Sequence, residues 1–156
     1  VERELRRARL AGAGVNAARF RFDVDLDELC ATMRQLHRNR AIEIVRHGQL
    51  AAYGDREDLL ELLGNLLDNA CKWARARVDV LARMADGQLC LEVDDDGPGL
   101  DAGQAARALE RGVRGSGLGL AIVLGIAQSY GGALVLARGA TGGLKAELRL
   151  PMAPLA

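Results

Sequence analysis

Glu61-Leu62-Leu63-Gly64-Asn65-Leu66-Leu67-Asp68-Asn69-Ala70-Cys71-Lys72-Trp73 carries two periodic signals at once. Leu59, Leu62, Leu63, Leu66 and Ala70 recur at helical spacing, so the segment reads as a helix that must bury one apolar stripe. Asn65, Asn69, Lys72 and Trp73 fall on another flank, at i, i+4, i+7 and i+8, where side chains one turn apart stack. A carboxamide oxygen suits a hard divalent cation, and an ammonium suits a phosphate. Taken alone, the polar strip is also what any wet helix face looks like. Its meaning depends on the glycine-rich stretches later in the chain.

Upstream, Asp55 caps this helix, with Asp58 three residues on. Before it come an alternating strand at Arg19–Val24, a helix opened by Asp25 with Glu28 at the capping-box position, and strands at Ala41–Val45 and Leu50–Tyr53 closed by Gly54. Downstream, Arg77–Ala82 alternates as a strand, Asp86-Gly87 marks a hairpin, and Gln88–Val93 returns antiparallel. A short helix over Gln104–Glu110 comes next, then an apolar helix to Tyr130 stopped by Gly131-Gly132. A last hairpin joins Ala133–Ala137 to Leu144–Leu150 around Thr141-Gly142-Gly143. Antiparallel strand pairs with helices between them predict an α+β fold: a two-layer sandwich of a mixed, mostly antiparallel sheet with helices on one face. The charged piece Val1–Leu10, ended by Gly12-Ala13-Gly14, reads as a linker or the tail of a preceding helix. That leaves residues 1–14 as linker or helix tail and 15–156 as one domain.

Composition narrows the function classes. A chain of 156 residues with 49% hydrophobic residues is long enough for one core without disulfides. Formal net charge is zero, which gives no global reason to expect nucleic acid as a partner. Cys30, Cys71 and Cys90 have no CxxC spacing and read as buried thiols rather than a zinc site. No apolar run is long enough to span a bilayer.

Two further stretches carry chemistry. Asp94-Asp95-Asp96-Gly97-Pro98-Gly99 ends a strand. Three adjacent carboxylates repel one another, and folding gives no evident reason for them. They read either as an acidic turn, with glycines for positive φ, or as a carboxylate that accepts a ligand amine while Gly97 and Gly99 admit a flat ring. Gly115-Ser116-Gly117-Leu118-Gly119-Leu120 opens a helix, where free N–H groups and the dipole favour phosphate. A dinucleotide fingerprint is excluded by the glycine spacing and the missing preceding strand, and a Walker A loop by the missing lysine.

In order, Asn65-x-x-x-Asn69-Ala-x-Lys72, Asp95-x-Gly97-x-Gly99 and Gly117-x-Gly119-Leu120 resemble the N, G1 and G2 boxes of the GHKL superfamily, whose members share the Bergerat ATP-binding fold. NLLDNACKWA, VDDDGPGL, RGVRGSGLGLAIV and YGG resemble the ATP-binding catalytic (HATPase_c) domain of bacterial two-component sensor histidine kinases, across roughly residues 15–151. The Cys71-Lys72-Trp73 triplet and Arg111-Gly112-Val113-Arg114 resemble the PhoQ-like subgroup. The resemblance implies Mg²⁺ and ATP as ligands. Asn69 would hold the cation, with Asn65 in support, and Lys72 would meet phosphate. Trp73 would wall the nucleotide pocket or else serve as a core tryptophan. Asp95 would accept the adenine amino group, and Gly97 and Gly99 would make room for the purine. Gly117 and Gly119 would bring backbone N–H groups to the phosphates, with Leu118 and Leu120 in the same nucleotide-binding turn. Arg111 and Arg114 would reach the γ-phosphate from a lid.

The resemblance also implies an activity. Water-activating relatives carry Glu four residues before the metal-binding Asn; here that position is Asn65, which is no base at neutral pH. The implied reaction is therefore transfer of the γ-phosphoryl to a histidine on a separate dimerisation domain, not hydrolysis. No catalytic residue of that kind lies in this chain, because His37 precedes Arg38 and His47 precedes Gly48 rather than an acidic residue. A response regulator would be the next partner, and the chain would be a cytoplasmic domain of an inner-membrane sensor. The lid is short, with only Val113 and Arg114 before the glycines and Leu109 where the family has phenylalanine. The competing expectations are a non-catalytic nucleotide-binding regulatory module and a serine kinase of the anti-sigma-factor type.

Overall fold

The computed structural model describes residues 18–111 and 119–151. In chain order these form β1 (Arg19–Arg21), α1 (Asp25–Leu36), a 3-10 turn (Arg38–Arg40), β2 (Glu43–His47), β3 (Ala52–Asp55) and α2 (Arg56–Trp73). Then come β4 (Arg77–Ala85), β5 (Gln88–Asp95), α3 (Ala102–Arg111), α4 (Gly119–Ser129), β6 (Ala133–Arg138) and β7 (Leu144–Pro151). The proposed tail Val1–Leu10 and the lid residues 112–118 lie outside the described residues.

α2 forms as its pattern predicts. Asp55 sits in the extended region, and its carboxylate accepts the Asp58 amide at 3.1 Å. Leu59, Leu62, Leu63 and Leu67 are fully buried. Each such leucine contributes about 1.5–3 kcal/mol, an upper estimate against an extended chain. α2 packs on α1 and α4, and beneath it on β4 and β5.

The main sheet runs β2-β4-β5-β7-β6, with β2 parallel to β4 and every other pair antiparallel. This is the mixed, mostly antiparallel sheet the sequence predicts. Alternation sorts its faces: Val78, Val80, Leu89, Leu91, Val93, Ala146 and Leu148 point into the core under the helices. Glu92, Lys145, Glu147 and Arg149 lie on the other face, paired as Lys145–Glu92 (3.3 Å) and Arg149–Glu147 (2.7 Å). The β4–β5 hairpin turns on Asp86 (φ 53°) and Gly87 (φ 72°), the positive pair a type I′ turn needs. β1 and β3 form a separate two-stranded sheet against α2, a split that local alternation cannot predict.

Two local expectations are corrected. Asp25 does not cap α1. Val24 holds that position without a side-chain bond, and Asp25 is the first helical residue, nearly buried. Its carboxylate accepts the Arg21 amide (2.9 Å) and meets Arg56 Nε (3.3 Å), so it joins β1 to α2. Gly54 continues β3 rather than ending it, at φ 66°, where a Cβ would stand 2.7 Å from Leu59 Cδ2 and 3.0 Å from the Tyr130 hydroxyl. That hydroxyl accepts the Asp55 amide (2.9 Å) and donates to buried Asp58 (3.1 Å), tying the end of α4 to the start of α2. Burial raises the Tyr130 pKa far above the ordinary tyrosine range, which keeps the donor protonated.

Candidate functional site

Asp95 is the centre of the candidate site, and strand parity sets its inward orientation. Leu89, Leu91 and Val93 alternate inward along β5, and Asp95 is the next inward position. A carboxylate therefore ends an apolar column, only 2% exposed. Its Oδ1 accepts the Gly97 amide (2.9 Å) and the Leu144 amide (3.3 Å). Burying a carboxylate is costly unless donors meet it, and these amides supply that compensation and fix its orientation.

Asp94 and Asp96 do different work. Asp94 faces the outer side of the sheet, and its Oδ1 is buried without a hydrogen-bond partner. Burial raises its pKa, Asp79 and Asp95 add to the effect, and Lys145 opposes it. Burial also acts to raise the Asp96 pKa, but the backbone N–H groups of Ala76, Arg77 and Arg75 outweigh it and hold the carboxyl below its ordinary value. Asp96 accepts the Arg75 amide (2.7 Å) and the Ala76 amide (3.1 Å), fixing the chain where it leaves α2. Folding does use an acidic residue here, contrary to the sequence expectation.

The glycines of the Asp95–Gly99 turn lie against backbone. A Cβ on Gly97 would stand 2.3 Å from the Trp73 carbonyl oxygen, and one on Gly99 (φ 72°) 2.5 Å from the Gly142 carbonyl oxygen. The turn is held between the exit of α2 and the β6–β7 loop. That loop is what the sequence reading missed. A Cβ on Gly143 would stand 1.9 Å from the Asp95 carbonyl oxygen, and one on Gly139 2.0 Å from Asp94 Oδ1. The Thr141 hydroxyl reaches the Asp95 carbonyl at 3.5 Å. The only local signal was the Thr141-Gly142-Gly143 turn, which reads equally well as an ordinary hairpin.

Asn65 and Asn69 are half-buried one turn apart on α2. The Asn65 amide donates to the Glu61 carbonyl at 2.7 Å. That bond turns Oδ1 towards α4, where a Cβ on Gly119 would stand 3.4 Å from it. The asparagine flank and the first described residues of α4, Gly119 and buried Leu120, are thus brought together. Lys72 is placed otherwise: its ammonium meets Asp68 one turn back at 3.2 Å, and Asp68 also takes His37 Nε2 at 2.8 Å. The pair is half exposed and weakly held. Trp73 is 37% exposed at the end of α2, beside Gly97. Arg111 closes α3, with its side chain outside the described residues, as are Arg114, Gly117 and Leu118. Among the described residues no group of three or more His, Cys, Asp or Glu could hold a metal ion. His47 pairs with Asp79 at 2.8 Å across β2 and β4, away from this cluster.

Residues 54–154 match the family described as Histidine kinase-, DNA gyrase B-, and HSP90-like ATPase. The chain is 43% identical over 157 residues to the sensor protein kinase CarS of Pseudomonas aeruginosa, covering 96% of this chain and 35% of that protein. It is 37% identical over 154 residues to the two-component sensor PhoQ of the same organism, covering 94% and 34%. It therefore spans about a third of the length of these relatives. The solved structure of full-length ShkA in complex with AMPPNP superposes with a TM-score of 0.68 at 30% identity, covering 99% of this chain and 35% of that one. The match over residues 54–154, together with 43% identity to a relative across 96% of this chain, establishes that the chain belongs to the histidine kinase-, DNA gyrase B- and HSP90-like ATPase family.

Proposed function

We propose that this chain is the ATP-binding catalytic domain of a two-component sensor histidine kinase. It would hold Mg-ATP between α2, the Asp95–Gly99 turn and the start of α4, and present the γ-phosphoryl to a histidine on a separate dimerisation domain. The observation that carries the reading is Asp95: a buried carboxylate at a strand end, oriented by two amides and walled by backbone on both sides. An ionised carboxylate only accepts hydrogen bonds. It selects a base that presents an amino donor, as adenine does, over one that presents a carbonyl. The relative solved with AMPPNP, and the relatives named as sensor kinases, support the same assignment.

The phosphates would lie along α2 towards α4, where helix amides and dipole favour anions. Neutral amide oxygens at Asn65 and Asn69 fit a magnesium ion whose charge is balanced mostly by the nucleotide. Bound there, the ion would neutralise phosphate charge. Lys72 would leave its weak pair with Asp68 to meet a phosphate oxygen. Arg111 and Arg114 would approach from the α3 side, and Gly117, Leu118, Gly119 and Leu120 would supply backbone donors. Asn65 has no basic group, so nothing at its position activates water. The chain's part is to bind, orient and exclude, and rate comes from positioning. The dimerisation domain and a response regulator are the proposed partners. No described helix is long and apolar enough to cross a membrane, and the proposed location is the cytoplasmic side of a sensor protein.

Trp73 is the only tryptophan, so its fluorescence reports the pocket directly. ADP and an ATP analogue should change it in a Mg²⁺-dependent manner. Asp95→Asn keeps an acceptor for the two amides but turns a donor towards the base, and should weaken binding by at least about 30-fold. Absence of Mg²⁺-dependent binding, or full affinity in the variant, would sink the assignment. With labelled ATP and a histidine-bearing helical hairpin, the transferred phosphate should be acid-labile.

A further inference from the structure

We propose that Arg40 is a positioning residue for the base-binding wall, clamping the exit of α2 so that the Trp73 carbonyl bears on Gly97. The inference rests on the proposed nucleotide site and adds to it a residue that precedes every proposed pocket residue in the chain. Arg40 ends the 3-10 turn after α1 and is itself exposed. Its guanidinium nevertheless donates to three carbonyls at the α2 terminus: that of Cys71, that of Lys72 at 2.5 Å and that of Ala74 at 2.6 Å. A helix C-terminus leaves its last carbonyls without intrahelical partners and carries a partial negative charge, so a planar cation with several donors is well suited to it.

The acceptor pattern is informative. Arg40 takes the carbonyls of residues 71, 72 and 74, on either side of Trp73, whose carbonyl oxygen lies where a Cβ on Gly97 would be only 2.3 Å away. From the other side, Asp96 holds the Arg75 and Ala76 amides, and its own amide donates to the Arg77 carbonyl at 3.2 Å. The segment 71–77 is thus gripped by Arg40 at the carbonyls of residues 71, 72 and 74, and by the turn that carries Asp95 at the amides of 75 and 76 and the carbonyl of 77. Arg40 thereby fixes where the α2 exit packs against the turn that carries Asp95, without touching the ligand. The turn that delivers it is specific: Ala41, directly after it, has φ 51°, one of two non-glycine residues at positive φ among those described.

Arg40→Met removes all three donors from an exposed site and leaves no core void. ADP and GDP affinities, measured by calorimetry with Mg²⁺ on this chain and the variant, give the test. Loss of the clamp should weaken ADP binding more than GDP binding, lowering the ADP-over-GDP preference by at least about fivefold, since misplacement on the scale of 1 Å is costly to a preorganised site. Trp73 emission should shift in the free variant, reporting a displaced wall. An unchanged preference, or a parallel loss of both nucleotides with a lowered melting temperature, would assign Arg40 to stability alone and overturn the inference. If Arg40→Met does not fold, Arg40→Lys, which keeps the charge but not the planar fork, decides on the same ratio. A wild-type chain that binds neither nucleotide refutes the nucleotide reading itself, and the wild-type arm tells that failure apart.

Discussion

Replacing Gly143 with alanine tests whether the β6–β7 loop sets the position of Asp95. The new Cβ would stand 1.9 Å from the Asp95 carbonyl oxygen, 2.6 Å from its carbonyl carbon and 2.7 Å from Oδ1. Ordinary carbon–oxygen contact needs more than 3 Å, so about 1.3 Å of movement is required. Asp95 is the wrong side to move, because β5 is paired on both edges, by β4 and β7. The loop must give instead. Three bonds are then stretched: Leu144 amide to Asp95 Oδ1 (3.3 Å), Gly139 amide to the Gly143 carbonyl (2.8 Å), and the long Thr141 hydroxyl contact (3.5 Å). One charge-assisted bond and one good neutral bond are together worth roughly 2–4 kcal/mol. At about 2–4 °C per kcal/mol for a chain of this size, the melting temperature should fall by roughly 4–16 °C. Thermal unfolding followed by far-UV circular dichroism gives the stability, and an ADP titration gives the site. Loss of affinity should exceed about tenfold, because the Asp95 carboxylate loses the orienting Leu144 amide. A melting temperature within about 2 °C of wild type would refute the reasoning, since a backbone-on-backbone clash cannot be absorbed by a side-chain rotation.

Gly125 provides the opposite case: it lies inside α4, and a Cβ there meets nothing within 4 Å. Gly125→Ala should stabilise by about 0.5–1 kcal/mol through backbone entropy, read as a higher melting temperature with nucleotide affinity unchanged. Asp96→Ala removes the acceptor for the Arg75 and Ala76 amides and should cost about 1 kcal/mol at neutral pH, after allowance for solvent screening. The folded Asp96 pKa lies below the ordinary 3.8, so its contribution is complete above that value and is lost as pH falls through the lower folded pKa. The difference between wild type and variant in denaturant unfolding should therefore be flat from pH 7 to 5 and close only below about pH 4.

Features fixed by short-range physics were legible in the sequence. The leucine stripe of α2, the Asp55–Asp58 cap and the Asp86-Gly87 hairpin each depend on residues within one or two turns, and each formed as read. Parity along β5 was equally local: continuing the alternation from Leu89 selects Asp95 as the inward carboxylate of the three. What escaped was set by distant partners. Asp25 carries an ordinary cap signature, yet Arg56, far along the chain, takes its carboxylate instead. Gly143 looks like any turn glycine until Asp95 is folded beneath it. Arg40 reads as one of several surface arginines, because the carbonyls it holds belong to a helix that begins well after it. Lys72 shows a nearer competition: helical spacing lines it up with Asn65 and Asn69, but Asp68 one turn back takes its ammonium in this structure.

These contacts divide the site into two unlike ends. At Asp95 the walls are backbone against backbone, at Gly97 and Trp73, Gly99 and Gly142, and Gly143 and Asp95 itself, with charged groups gripping the chain on either side. Such contacts have almost no freedom to adjust, which suits recognition of a flat, invariant base. Towards α4 the proposed ligand-facing groups are side chains, Asn65, Asn69 and Lys72, half-buried or exposed and in part engaged with replaceable neighbours. That end can rearrange around phosphates and a cation at little cost. On the proposed reading, a domain that must retain ATP and offer only its terminal phosphoryl would gain from this division. Affinity would be anchored where the ligand does not change. Adjustment would be confined to where a bond must break, and the amide at Asn65 would contribute no base to send the phosphoryl to water.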